Sequence, residues 1–137
     1  RAEVGASEHQ AGLALDLYVP QFGGWAFTKS AAGRFVDTNC RDYGFIVRYP
    51  SYGEKQTGIP YEPWHLRYVG LPHSQIIMDE YLTLEEYIDL LKPGSFYQYG
   101  SYLISHQNGR VIDAPSGWKH VTVSEDNLGG YLFTWEL

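Results

Sequence analysis

Leu13, Leu15, Leu17 and Val19 alternate with Ala14, Asp16 and Tyr18. This period of two predicts a strand, because successive side chains of an extended chain point to opposite faces. Asp16 then stands on the face away from the leucines, where an acid marks either a solvated surface or a site. Residues 20–31 contain Pro20, Gly23 and Gly24 and read as a loop. From Ala31 to Tyr43 the period becomes helical, with Phe35, Val36, Cys40 and Tyr43 on one side and Gly44 as the stop. Phe45–Tyr49 reads as a second strand closed by Pro50, and 51–60 as a polar loop. Trp64–Val69 reads as a third strand, with Trp64, Leu66 and Tyr68 facing one way and His65, Arg67 and Val69 the other. Pro72 opens a short helix containing Ile76 and Ile77. A clearer helix follows. Thr83-Leu84-Glu85-Glu86 is a capping box, Leu84, Tyr87, Ile88 and Leu91 form the apolar stripe, and Pro93-Gly94 ends it.

Beyond that helix the pattern changes. Residues 95–137 are rich in Tyr and Gly and carry no helical period. Asn108-Gly109 between Tyr102–Gln107 and Arg110–Ala114 predicts a hairpin, and Val121–Val123 and Tyr131–Trp135 predict two more strands. The expected organisation is an α+β body over 1–92 and a β-rich extension over 93–137. A cover for a sheet edge is the favoured role for that extension, with a lid or a wall-contacting surface as alternatives.

Composition narrows the function classes. The 137 residues suffice for one domain with a real core. A hydrophobic share of 44% excludes a disordered chain. No apolar run approaches the ~20 residues that a membrane helix needs. The net charge of −6, with no Lys/Arg cluster, argues against nucleic acid as a partner. The single Cys40 excludes an internal disulfide, and its place on an apolar helical stripe reads as a buried, inert thiol. His73, His106 and His120 have no ligand-like spacing.

His9 with Asp16, and Glu62 with His65, are the positions where the residue types carry chemistry. Two imidazoles and a carboxylate make a first shell for a catalytic Zn²⁺ with one position left for water. A hydrolase of this kind also needs a carboxylate that is not a ligand, to take and return a proton. Glu62, three residues before His65, can fill that part, and Pro63 between them restricts the backbone. The spacing alone is not specific: a polar turn His, a partly buried strand His and a solvated Glu satisfy it equally.

Longer strings are specific. Ser7-Glu8-His9-Gln10-Ala11-Gly12-Leu13-Ala14-Leu15-Asp16 resembles the SxHxxGxAxD motif of the VanY-type D-alanyl-D-alanine carboxypeptidases. Tyr61-Glu62-Pro63-Trp64-His65-Leu66-Arg67-Tyr68-Val69-Gly70 is similar to the second motif of that family. Tyr43–Pro50, Thr57-Gly58-Ile59 and Thr83–Tyr87 resemble its linking segment and closing helix, so the likeness covers about residues 1–92.

The resemblance implies a small antiparallel sheet with packed helices, the fold shared with the hedgehog signalling domain. It implies that His9, Asp16 and His65 ligate one Zn²⁺ and that Glu62 is general base and then acid. The implied reaction is removal of the terminal D-Ala from a D-Ala-D-Ala or D-Ala-D-Lac peptidoglycan stem peptide, in a glycopeptide-resistance setting. Ser7, Tyr61 and Trp64, with Gln10, would line the substrate pocket. Arg67 would orient a carboxylate or pair with an acid. The implied location is the cell envelope, with a cytoplasmic one also compatible.

Departures from the family pattern leave alternatives. The family's upstream SGYRS-like arginine, an oxyanion donor, has no counterpart in this sequence, and Arg1 is not its equivalent. Gly53-Glu54-Lys55 stands where the family often has Gly-Lys-Glu. An L,D-carboxypeptidase or endopeptidase of the same fold is one alternative. A zinc-holding wall-binding module without turnover is the other.

Overall fold

The computed structural model describes residues 7–109, 111–126 and 129–136. These form two units, the first running to Glu86 and the second from Tyr87. The first begins with strand β1 (Ala14–Asp16), shorter than the Leu13–Val19 alternation predicts. Leu13 and Leu15 are more than a third exposed, and Leu17 packs against the core. The segment expected as loop holds a 3₁₀ helix, Gly24–Lys29, whose Phe27 is buried. The period-based reading missed it because a helix this short shows no repeat of its apolar face.

Helix α1 (Ala31–Asn39) starts where Ser30 Oγ accepts from Gly33 N, an N-cap bond. A 3₁₀ turn, Cys40–Tyr43, continues it, and Gly44 ends it in the left-handed conformation at φ 81°. The expected stripe is only half right: Cys40 is buried and Val36 partly so, whereas Phe35 and Tyr43 are 55% and 65% exposed. Burial pushes the Cys40 thiol up to about 11, so it is neutral and unreactive at physiological pH.

Strand β2 (Phe45–Tyr49) follows as expected, and a one-turn helix α2 (Glu54–Thr57) sits within the polar loop. Strand β3 (Glu62–Tyr68) begins two residues before the predicted start. It lies at the centre of an antiparallel sheet of order β1-β3-β2. Val47 and Leu66, paired across β2 and β3, bury one face of that sheet with Cys40. His65 and Arg67 occupy the other face, as the alternation predicts.

Helix α3 (His73–Asp79) buries Ile76 and Ile77. Burial at its first residue pulls His73 down to about 4. The unfolded chain therefore takes up a proton near pH 6.5 that the folded chain refuses until about pH 4, so stability falls as pH drops through that window. His73→Gln is expected to remove that portion of the acid sensitivity, on the order of 2 kcal/mol between pH 7 and pH 4. Urea unfolding of both proteins at the two pH values measures it. Helix α4 (Leu84–Leu90) carries the predicted capping box: Thr83 N donates to Glu86 Oε2 at 2.8 Å and Glu86 N to Thr83 Oγ1 at 3.2 Å.

In the second unit, β4 (Phe96–Tyr99), β5 (Tyr102–Gln107), β6 (Lys119–Glu125) and β7 (Tyr131–Glu136) form an antiparallel sheet of order β4-β5-β7-β6. Ile104, Phe133 and Trp135 are among its buried side chains, and the last two stack at 5.5 Å. Among the described residues, no strands pair across Asn108-Gly109. The second strand expected there includes Arg110, which lies outside the described residues, and Val111–Ala114 is irregular. Gln107 replaces the ladder there: its Nε2 donates to Asp113 O at 2.9 Å and its Oε1 accepts from Asp113 N at 2.8 Å. The hairpin lies instead at Gly100-Ser101, between the paired Tyr99 and Tyr102, with Gly100 at φ 55°. His106 is engaged within this unit, its ring nitrogens on Leu91 O and Asp126 Oδ2.

Candidate metal centre

His9, Asp16 and His65 each present one donor atom, and the three atoms lie within 4.8 Å of one another. Asp16 Oδ1 stands 3.5 Å from His9 Nε2 and 3.3 Å from His65 Nδ1. Tetrahedral ligands at ~2.0–2.1 Å from a Zn²⁺ lie roughly 3.3 Å apart, so the two distances from Asp16 match that ion. Two imidazoles and one carboxylate also match the donor set of a catalytic rather than a structural zinc site.

The strands explain the convergence. Asp16 and His65 are cross-strand partners of β1 and β3, and directly paired residues share a face. His9 comes from the turn before β1, which Gln10 N closes on Ser7 O. Its Nδ1 lies 3.1 Å from Ala14 O. A carbonyl only accepts, so Nδ1 donates here and the neutral ring leaves Nε2 with a lone pair that could ligate a metal.

Glu62 joins the cluster through an irregularity in β3. Val47 pairs with Leu66 and Tyr49 with Glu62, so β2 advances two residues while β3 advances four. In a regular strand residues three apart point to opposite faces. Here the bulge turns Glu62 back, and its Oε2 lies 3.4 Å from His65 Nδ1. Its side chain keeps 30% of its exposure, open to solvent, whereas His65 keeps 8%.

Three side chains that the sequence reading did not single out surround His65. Glu8 Oε1 accepts from His65 Nε2 at 2.8 Å. Glu8 Oε2 accepts from Arg67 Nη1 and from Arg48 Nε, and Arg48 makes a bidentate pair with Glu85. Burial alone would raise the Glu8 carboxyl; the His65 bond and the two guanidiniums outweigh it and hold it at about 2. The Tyr49 ring packs edge-on against the His65 ring at 4.9 Å. The signal for Glu8 was its place inside the motif, between Ser7 and His9; Arg48 and Tyr49 had no signal beyond facing β3.

The expected pocket residues are placed less uniformly. Arg67 pairs with an acid, Glu8, rather than standing free. Tyr61 packs against the Cys40–Val47–Leu66 core and lies edge-on to Trp25 at 6.5 Å. Ser7 and Gln10 form the turn that carries His9, and Trp64, partly buried, receives Leu17 N on its carbonyl.

Residues 1–71 match the family model described as VanY, D-alanyl-D-alanine carboxypeptidase. The chain belongs to the VanY family. A D-alanyl-D-alanine carboxypeptidase of Enterococcus faecium is 37% identical over 95% of this chain and 44% of its own length. Among solved structures, the vancomycin-resistance D,D-dipeptidase VanXYg, in complex with a D-Ala-D-Ala phosphinate analogue, superposes with a TM-score of 0.81 at 29% identity. That match covers 99% of this chain and 60% of the other. The LD-carboxypeptidase LdcB is 48% identical, with a TM-score of 0.60, over 64% of this chain and 42% of that one. A mutant VanY from a VanB-type cassette, in complex with Zn(II), is 40% identical, with a TM-score of 0.53, over 61% and 46%. This VanY-family chain spans between 32% and 48% of the length of the curated relatives it matches. Among the described residues, no helix is long and apolar enough to cross a membrane.

Proposed function

We propose that this chain is the metal-holding part of a zinc D,D-carboxypeptidase that removes the terminal D-Ala from peptidoglycan stem peptides outside the cytoplasm. The observation that carries the reading is the donor cluster of His9, Asp16 and His65 with a fourth acid, Glu62, beside it and partly open to solvent. Family membership supports the substrate class, and the Zn(II) complex of a VanY relative supports the metal.

When bound, zinc supplies a Lewis acid for a peptide carbonyl and acidifies water. The chain's own residues do the rest. His9 Nε2, Asp16 Oδ1 and His65 Nδ1 would hold the ion. Glu62 takes a proton from the attacking water at its carboxylate and delivers it to the leaving amine, as a general base and then acid must. Ser7, Gln10, Tyr61 and Trp64 are proposed to line the approach to the scissile bond. The domain reading of 1–92 as the catalytic body, with 93–137 as a β-rich extension, belongs to the same proposal.

A second reading has its own support in the 48% identity to LdcB: an L,D-carboxypeptidase acting on tetrapeptides. A panel of UDP-muramyl pentapeptides ending in D-Ala-D-Ala or D-Ala-D-Lac, the tetrapeptide, and free D-Ala-D-Ala separates the two. Zinc-loaded protein is expected to give a product one alanine residue lighter from the D-Ala-D-Ala pentapeptide, with a kcat/KM at least tenfold above that for the tetrapeptide. The reverse order by product mass replaces the D,D reading with the L,D one.

A further inference from the structure

His65 reaches the metal cluster through Nδ1, so its orientation depends on what holds Nε2. That atom meets Glu8 Oε1 at 2.8 Å. Glu8 is itself anchored from the opposite side: its Oε2 is engaged by Arg67 Nη1 and by Arg48 Nε at 3.2 Å. Arg48 is in turn clamped by Glu85, at 2.6 and 3.1 Å, with its guanidinium 4.9 Å from the Tyr49 ring centre. The side chains of Glu8, Arg48 and His65 are 15%, 13% and 8% exposed. The carboxylate therefore sits in a fixed frame built from β2, β3 and the segment before β1, and it has little freedom to follow a moving imidazole.

We propose that Glu8 is a positioning residue for the metal centre: through Oε1 it fixes the tautomer and ring angle of His65, so that Nδ1 is presented to the ion with its lone pair free. This rests on the metal-centre reading above. A carboxylate facing Nε2 accepts a hydrogen bond and places the proton there, which leaves Nδ1 unprotonated. Partners of this kind orient ligand histidines, and losing one typically costs about 10–100-fold in metal affinity. His9 has a simpler device, its Nδ1 resting on Ala14 O. The Glu8-His9 dipeptide thus supplies one ligand and the orienting group of another.

The test is zinc affinity, measured by competition against a chromophoric chelator, in the wild type, Glu8→Gln and Glu85→Gln. Glu8→Gln keeps the shape but loses the carboxylate, and it is expected to weaken zinc binding 10–100-fold. Glu85→Gln cuts the same network at its outer end and is expected to leave affinity within about threefold. Equal losses in both variants reduce Glu8 to part of a general scaffold and overturn the proposal, as does unchanged affinity in Glu8→Gln. Nitrogen-15 NMR of the metal-free wild type gives a readout independent of any variant's folding and of peptidase activity. A single Nε2–H tautomer at His65 is expected; an Nδ1–H or mixed population overturns the proposal. Stoichiometric zinc binding without D-Ala release would sink the peptidase reading and leave this one standing.

Discussion

Glu62→Gln is expected to lower kcat for D-Ala release by about 10²–10⁴-fold, the range for removing a general acid–base group, while the protein still binds one zinc per chain. The substitution keeps the shape of the side chain and a hydrogen-bonding oxygen next to His65, and removes only the capacity to take a proton. Glu62 is not among the three clustered donors, so metal content is expected to hold. Its partial exposure means that no buried countercharge is orphaned. The register shift is a feature of the backbone pairing between Val47–Leu66 and Tyr49–Glu62, so the geometry around His65 is expected to survive. Steady-state kinetics with metal analysis of the same preparation checks it. A near-normal kcat would put the proton transfer on another group.

His65→Ala is expected to abolish stoichiometric zinc binding at micromolar metal and to remove the rise in melting temperature that zinc gives the wild type. A ligand that binds only the folded state stabilises it by mass action, about 2.7 kcal/mol when present at one hundred times its dissociation constant. Losing one of three protein ligands removes most of that gain. The variant also empties a nearly buried ring site beside Tyr49, so the metal-free melting temperatures of both proteins serve as the baseline. Glu8 keeps Arg48 and Arg67 as partners in the variant, which limits the cost of leaving its Oε1 without His65. Metal analysis after dialysis, paired with melting curves at rising zinc, reads both effects. A full zinc equivalent in His65→Ala would place the ion elsewhere.

That His9, Asp16 and His65 come together was legible from the two strings that resemble the family's motifs, not from spacing: His9 falls in a turn, Asp16 at the end of β1 and His65 on the face of β3 away from the core. Period two alone put His65 and Arg67 opposite Leu66, and the structure keeps that arrangement. Cross-strand register was not legible, and with it went Arg48 and Tyr49, which touch the site only because β2 pairs with a bulged β3. The approach of Glu62 to His65 likewise depends on two extra residues in one strand, a feature without a sequence period. In the second unit, Asn108-Gly109 carried a strong local turn signal that lost to a side chain. Gln107 binds the backbone of Asp113 and takes the place of a ladder. The stripe on α1 failed for a related reason: periodicity marks which residues share a face, not how much of that face meets a partner. Phe35 and Tyr43 stay exposed beside a buried Cys40.

The most direct measurement of the central claim is zinc-titrated release of D-Ala from a pentapeptide ending in D-Ala-D-Ala, starting from chelator-stripped protein. The account predicts no release without metal, a rate that climbs with added zinc and levels off at one equivalent per chain, and loss of that rate in His65→Ala. Release that is indifferent to chelation, or a chain that fills with one zinc and frees no D-Ala, would contradict it.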